Sequence, residues 1–160
     1  MLFLSNTDAI LRMVFTAALA IAVAGCSKPK EQTAAEEPLP LISALEGLDS
    51  ALSRAGGRMV VLDFYADWCR PCRALAPSLH GLAAEFRGTA DFYRVNVDRS
   101  PSLAREFGVR GIPFVVFMKG DTTVYALTGV NPRERYAEIL KTCGKTASAA
   151  DCMGLLKDNR

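Results

Sequence analysis

Apolar positions along the chain form short runs and helical stripes, and these predict most of its elements. Residues Met13 to Gly25 form an uncharged apolar stretch with Arg12 directly ahead of it. The stretch is too short for a bilayer core of about 30 Å, which takes about 20 residues. An apolar run behind a positive residue and ahead of small residues has the form of a signal peptide. From Ser27 to Pro40 the chain turns polar, holds three prolines and loses any apolar period. That predicts a flexible spacer reaching at most about 45 Å.

Beyond the spacer, two kinds of pattern alternate. Ile42, Leu45, Leu48 and Leu52 recur at helical spacing, and Gly56-Gly57 stops that helix. Met59 to Tyr65 is almost continuously apolar, which suits a strand buried on both faces. A helix follows over about 69–86, with Leu75, Leu79, Leu82, Ala83 and Phe86 on one stripe and a kink expected at Pro77. Asp91 to Val97 reads as a second strand, and Ser100-Pro101 opens a short helix. Pro113 to Met118 and Thr122 to Leu127 read as a hairpin turned at Gly120-Asp121. Asn131 as N-cap, Pro132 in the first turn and Glu134 predict a last helix, ended by Gly144. The order α-β-α-β-α-β-β-α predicts an α/β fold, a central mixed sheet with helices on both faces. The predicted organisation is a cleaved leader over 1–25, a tether over 26–40, a folded body over 41–142 and an extension over 143–160.

Composition narrows the function classes. The 160 residues carry 19 Lys+Arg against 17 Asp+Glu, a net charge of +2, so no large basic field favours nucleic acid. The only histidine, His80, argues against a multi-histidine metal site and reads as a surface or edge residue of its helix. The five cysteines, at 26, 69, 72, 143 and 152, carry most of the chemical information.

Cys69 and Cys72 sit at i and i+3 on a helix start, about 5–6 Å apart on one face. Disulfides need Cα atoms about 4.4–6.8 Å apart, so the pair can close and reopen without moving the backbone. Free N–H groups and the positive end of the helix dipole stabilise a thiolate there, which should bring the Cys69 pKa from about 8.5 toward 7 or below. Cys69, first in the motif and the more exposed, is the expected nucleophile, and Cys72 the resolving thiol. Arg70 adds a positive charge beside the thiolate, and Pro71 stiffens the turn without presenting an N–H. The rival readings are half of a structural zinc site or a copper carrier. Zinc wants four ligands, and Cys143 and Cys152 lack the matching spacing. Copper wants further Met or His ligands nearby.

The segment Val61 to Pro77, VLDFYADWCRPCRALAP, resembles the active-site segment of the thioredoxin family. Gly111-Ile112-Pro113 is similar to that family's cis-proline loop, and Arg94 to Asp98 and Gly129 also fall where family members carry similar residues. The resemblance covers about residues 42–142. It departs at Arg70, where thioredoxins usually have Gly, and at Tyr65, where they often have Trp. The Tyr-Ala-Asp-Trp-Cys wording also resembles the C-terminal domain of transmembrane disulfide reductases of the bacterial envelope.

The resemblance implies a thioredoxin-like fold and a monomeric thiol:disulfide oxidoreductase with no cofactor and no metal. Reduction of protein disulfides is the first reading. Disulfide formation or isomerisation, and a non-catalytic adaptor, are the alternatives. Asp63, an unpaired carboxylate in an apolar strand, would have a raised pKa and accept the Cys72 proton; its rival role is a strand-end Asp bonded to backbone. Pro113 would be the cis-proline beside the cysteines. Trp68 would cover the cysteines and, with Arg70, Pro71 and Ile112, offer a docking face; its rival role is a half-buried core Trp. Electrons would pass to or from another thiol protein of the membrane or envelope.

Val23-Ala24-Gly25-Cys26 resembles a bacterial lipobox, which makes Cys26 the lipid-bearing first residue of the mature protein. A competing reading cuts after Ala24. Ser27 after the cysteine suggests outer-membrane sorting in a Gram-negative cell, facing the periplasm. Cys143 and Cys152 read as a structural disulfide of an oxidising compartment, with a second redox pair as the rival.

Overall fold

A computed structural model describes residues 38–158, and the elements follow the sequence pattern with a few informative differences. Helix α1 spans Leu45–Ala55, strand β1 Met59–Tyr65, helix α2 Arg70–Glu85 and strand β2 Ala90–Asn96. Helix α3 spans Pro101–Glu106, strand β3 Phe114–Lys119, strand β4 Thr122–Thr128, helix α4 Arg133–Gly144 and helix α5 Ala149–Asp158. The strands lie in the order β2-β1-β3-β4. Strand β1 runs parallel to β2 and antiparallel to β3, and β3 pairs antiparallel with β4.

Every residue of β1 is buried, because helices cover both faces of the strand. Met59 and Val61 point to one face, where Leu75, Leu79 and Leu82 of α2 meet Tyr136, Ile139 and Leu140 of α4. Val60, Leu62 and Phe64 point to the other, against Leu48 and Ala51 of α1 and Leu103 of α3. The one-residue alternation of β1 therefore divides the core in two. It also assigns Asp63 and Tyr65 to the α2 face.

Four local expectations need correction. The first helix starts at Leu45, not Ile42. Residues 40–42 lie extended along β2: the Arg94 N–H donates to the Pro40 carbonyl, and the Ile42 N–H donates to the Arg94 carbonyl, both at 2.9 Å. The open edge of β2 supplies backbone partners that a helical turn at Ile42 would forgo, and Pro40, the last residue of the predicted tether, is held against that edge. At α4 the N-cap is Pro132, not Asn131. The Asn131 amide instead donates to the carbonyls of Thr128 and Gly129, closing the turn out of β4. Gly144 does not adopt the left-handed stop conformation; it is the last helical residue, and Lys145 caps the helix. Gly56 does adopt it, at φ 56°, and ends α1 as its sequence position suggests.

The largest difference is α5. Its first turn hides in a stretch rich in Ala, Ser and Lys that reads as a bending loop. The Ser148 hydroxyl accepts from the Asp151 N–H and donates to the Asp151 carboxylate, which starts the helix. Cys152 and Leu156 then bury in the α2–α4 core.

Candidate active site

Strand β1 ends at Tyr65, and after three intervening residues the chain reaches Cys69, the N-cap of α2. The Cys69 N–H donates to the Ala66 carbonyl at 3.1 Å, which closes the turn. The Cys72 N–H donates to Cys69 Sγ at 3.1 Å. The helix thus directs a backbone donor at the sulfur that would carry negative charge. Cys69 and Cys72 are joined in a disulfide with Cα atoms 5.3 Å apart, inside the range such bonds require. Both are largely covered, at 3% and 1% exposure. Tyr65 and Ala66 pack with them, and Val97 and Ile112 flank the cluster. The Ile112–Pro113 bond is cis, and Pro113 is buried directly after the Ile112 that touches the cysteine cluster.

Trp68 is not a core residue. It is 67% exposed, and its indole N–H donates to the Asp98 carboxylate at 2.9 Å. Arg70 and Pro71, the first two residues of α2, are exposed as well. Trp68, Arg70, Pro71 and Ile112 therefore do come together around the disulfide. The exposed Trp68 and Pro71 give it an open apolar surface, which suits an extended protein segment as the reacting partner.

Asp63 is buried at 2% exposure, but it is not unpaired as the sequence suggests. Arg94 Nε donates to its Oδ2 at 3.0 Å, and no backbone group bonds the carboxylate among the described residues. The pairing comes from register, since Asp63 and Arg94 are direct neighbours across the parallel β1–β2 ladder. The same guanidinium stacks over the Tyr65 ring, 3.5 Å from its centroid. Burial pushes the Asp63 carboxyl above its ordinary value; Arg94 pulls it down, and His80 adds a smaller pull in the same direction. Burial prevails, because Oδ1 is buried without a hydrogen-bond partner. His80 is half-buried rather than on the surface.

Cys143 and Cys152 form a second disulfide, with Cα atoms 4.7 Å apart. It lies far from the first. Lys119 Nζ donates to the Cys143 carbonyl at 3.4 Å, and Lys119 pairs with Met59, the first residue of β1. Cys69 follows the last residue of that strand, so the two disulfides sit at opposite ends of the sheet, about 20 Å apart. Four cysteines so divided cannot share one tetrahedral zinc. Cys26 and the leader lie outside the described residues.

An exchangeable dithiol capping a helix, set against a cis-proline loop on a mixed sheet, defines a thiol:disulfide oxidoreductase. A thioredoxin family profile matches residues 44–142. Thioredoxin H4 of Arabidopsis thaliana is 41% identical over 101 residues, which cover 63% of this chain and 83% of that protein. Thioredoxin of Staphylococcus aureus is 38% identical over 88 residues, covering 55% of this chain and 85% of its own. Among solved structures, Fasciola hepatica thioredoxin superimposes with a TM-score of 0.60 at 30% identity, over 64% of this chain and 97% of that one. The chain belongs to the thioredoxin family. Arg94 is the site residue to which the sequence assigned no role; its signals are a positive charge between the apolar, buried Tyr93 and Val95 of β2 and its place in the segment similar to family members.

Proposed function

We propose that the protein is a lipid-anchored reductase of protein disulfides in the bacterial envelope. The observation that carries the catalytic part is the Cys69–Cys72 pair at the α2 N-terminus, with buried Asp63 on the face that α2 covers. The Cys69 thiolate attacks one sulfur of a substrate disulfide; the substrate S–S bond breaks, and the leaving thiolate takes up a proton. Cys72 gives its proton to Asp63 and attacks Cys69 Sγ. The mixed disulfide breaks, and the second substrate thiolate leaves. The substrate gains two electrons and two protons, and Cys69–Cys72 is left oxidised. A second thiol protein of the membrane or envelope returns the electrons.

The envelope part rests on Val-Ala-Gly-Cys26, the apolar run before it and the polar tether after it. A fully buried disulfide between Cys143 and Cys152 accords with an oxidising compartment. Insulin reduction by the purified protein tests the direction of electron flow. Steady turnover with a dithiol donor is expected; catalysis of disulfide formation alone would reverse the assignment, and no turnover either way would favour an adaptor. Cys72→Ser is expected to accumulate mixed disulfides with its substrates in cells, because Cys69 can attack and nothing resolves the product.

A further inference from the structure

The surface around Cys69 carries an uneven charge. Arg70 follows Cys69 directly in sequence, and Arg110 lies in the loop between α3 and β3 whose Ile112 packs on the cysteine cluster. Both side chains are exposed, and neither pairs with an acid among the described residues. Arg73 is exposed too, and its Nη1 donates at 2.8 Å to the Asp67 backbone carbonyl, which leaves its charge unneutralised. Arg99 binds the Asp67 carboxylate at 2.8 Å, with both side chains mostly in water. The other nearby acid, Asp98, is engaged by Trp68. Four guanidiniums thus face two carboxylates around one apolar patch, on a chain whose whole net charge is only +2.

We propose that Arg70 and Arg110, backed by Arg73 and Arg99, form a cationic rim that selects protein disulfides flanked by aspartate and glutamate. The inference rests on the reductase reading above and adds its substrate class. Trp68, Pro71 and Ile112 meet the apolar part of the incoming segment. The two unpaired guanidiniums come from different segments that meet at the cysteine pair, one from the start of the helix and one from the cis-proline loop. A substrate chain crossing between them brings residues on both sides of its cysteine within reach of a positive charge. A carboxylate there finds a partner with five donors; a lysine there meets like charge. Such rim charges act mainly on encounter and specificity, and they weaken as salt shortens the range of the field.

The test uses the pre-reduced full-length protein and three synthetic peptides, each closed by one disulfide and flanked by Glu, Lys or Gln. The second-order rate constant for oxidation of the protein is measured for each peptide. The Glu peptide is expected to react about tenfold faster than the Lys peptide at about 0.01 M salt, narrowing to less than about twofold at about 0.5 M. Arg110→Gln should reduce the low-salt ratio to about threefold, and Arg110→Glu should bring it to about one or below. The ratio compares two peptides on one protein, so a change in the Cys69 thiolate cancels. Equal rates for Glu and Lys peptides at low salt, or a ratio indifferent to Arg110→Glu, would overturn the cationic rim and leave the reductase intact. Failure of the reduced protein to react even with the Gln peptide would overturn the reductase reading, and the rim with it.

Discussion

At Asp63 two influences oppose each other, and their balance makes a pH-dependent prediction. The carboxyl titrates above its ordinary value of 3.8, first because of burial, with Arg94 in partial opposition. The folded state therefore holds this proton more tightly than the unfolded chain does. The sign of linkage follows: as pH rises from about 3.8 through the raised value, the native state must ionise a buried group and loses stability. Below about 3.8 the group is protonated in both states, and the penalty is absent. Asp63→Asn removes the penalty. It is expected to raise the melting temperature at pH 7 and to lose that advantage as pH falls through the window, which calorimetry from pH 3.5 to 8 would show. A gain that stays constant with pH would refute the assignment. The same variant should slow turnover by about a hundredfold, the loss of one general base, if Asp63 takes the Cys72 proton.

Elements α4 and α5 are tied together at the pole of the sheet away from Cys69. The Cys143 carbonyl near the end of α4 accepts from Lys119 Nζ and from the Thr146 hydroxyl, so a cation and a hydroxyl satisfy the orphaned end of the helix. The disulfide then pins α5 over the core. Its loop of about 10 residues implies a contribution of about 2.5–3 kcal/mol from chain entropy. Both cysteines have 0% exposure, so serine would bury hydroxyls and confuse the measurement. Cys143→Ala with Cys152→Ala is the better probe, and it is expected to lower the melting temperature by about 10 °C while leaving reduction by Cys69 and Cys72 unchanged. In a dithiothreitol titration the Cys143–Cys152 bond should persist at potentials that open Cys69–Cys72. Simultaneous opening, with slower turnover in the alanine pair, would instead make it a second redox pair.

For the whole molecule, the proposal places an open redox surface on a domain held to a membrane by its N-terminal segment. In that proposal the anchor restricts where the domain finds substrates and takes no part in the chemistry at Cys69 and Cys72. Cys26→Ala is expected to shift the protein from the membrane to the soluble fraction of cells, with disulfide reduction by the purified protein intact. Equal membrane association of variant and wild type would remove the lipid anchor from the proposal. One acyl chain holds a protein only marginally, so full anchoring implies more than one.

The strands and most helices were legible because each reports itself locally. A continuous apolar run marks β1, a 3.6-residue stripe marks α2, and i, i+3 spacing alone brings Cys69 and Cys72 to one face at a helix start. Tertiary structure decided what depends on register and docking. The Asp63–Arg94 pair exists because β1 and β2 align those two residues, 31 positions apart. The first strand-like contact of the domain exists because the β2 edge offers partners to residues 40–42. Helix α5 carries a weak local signal, and its place is set by burial of Cys152 and Leu156 in a core formed by distant residues. Sequence spacing likewise could not say whether Cys143 and Cys152 face the active site. The β1–β3 ladder sets them at the opposite end of the sheet, because Lys119 pairs with the first residue of β1 and Cys69 follows the last.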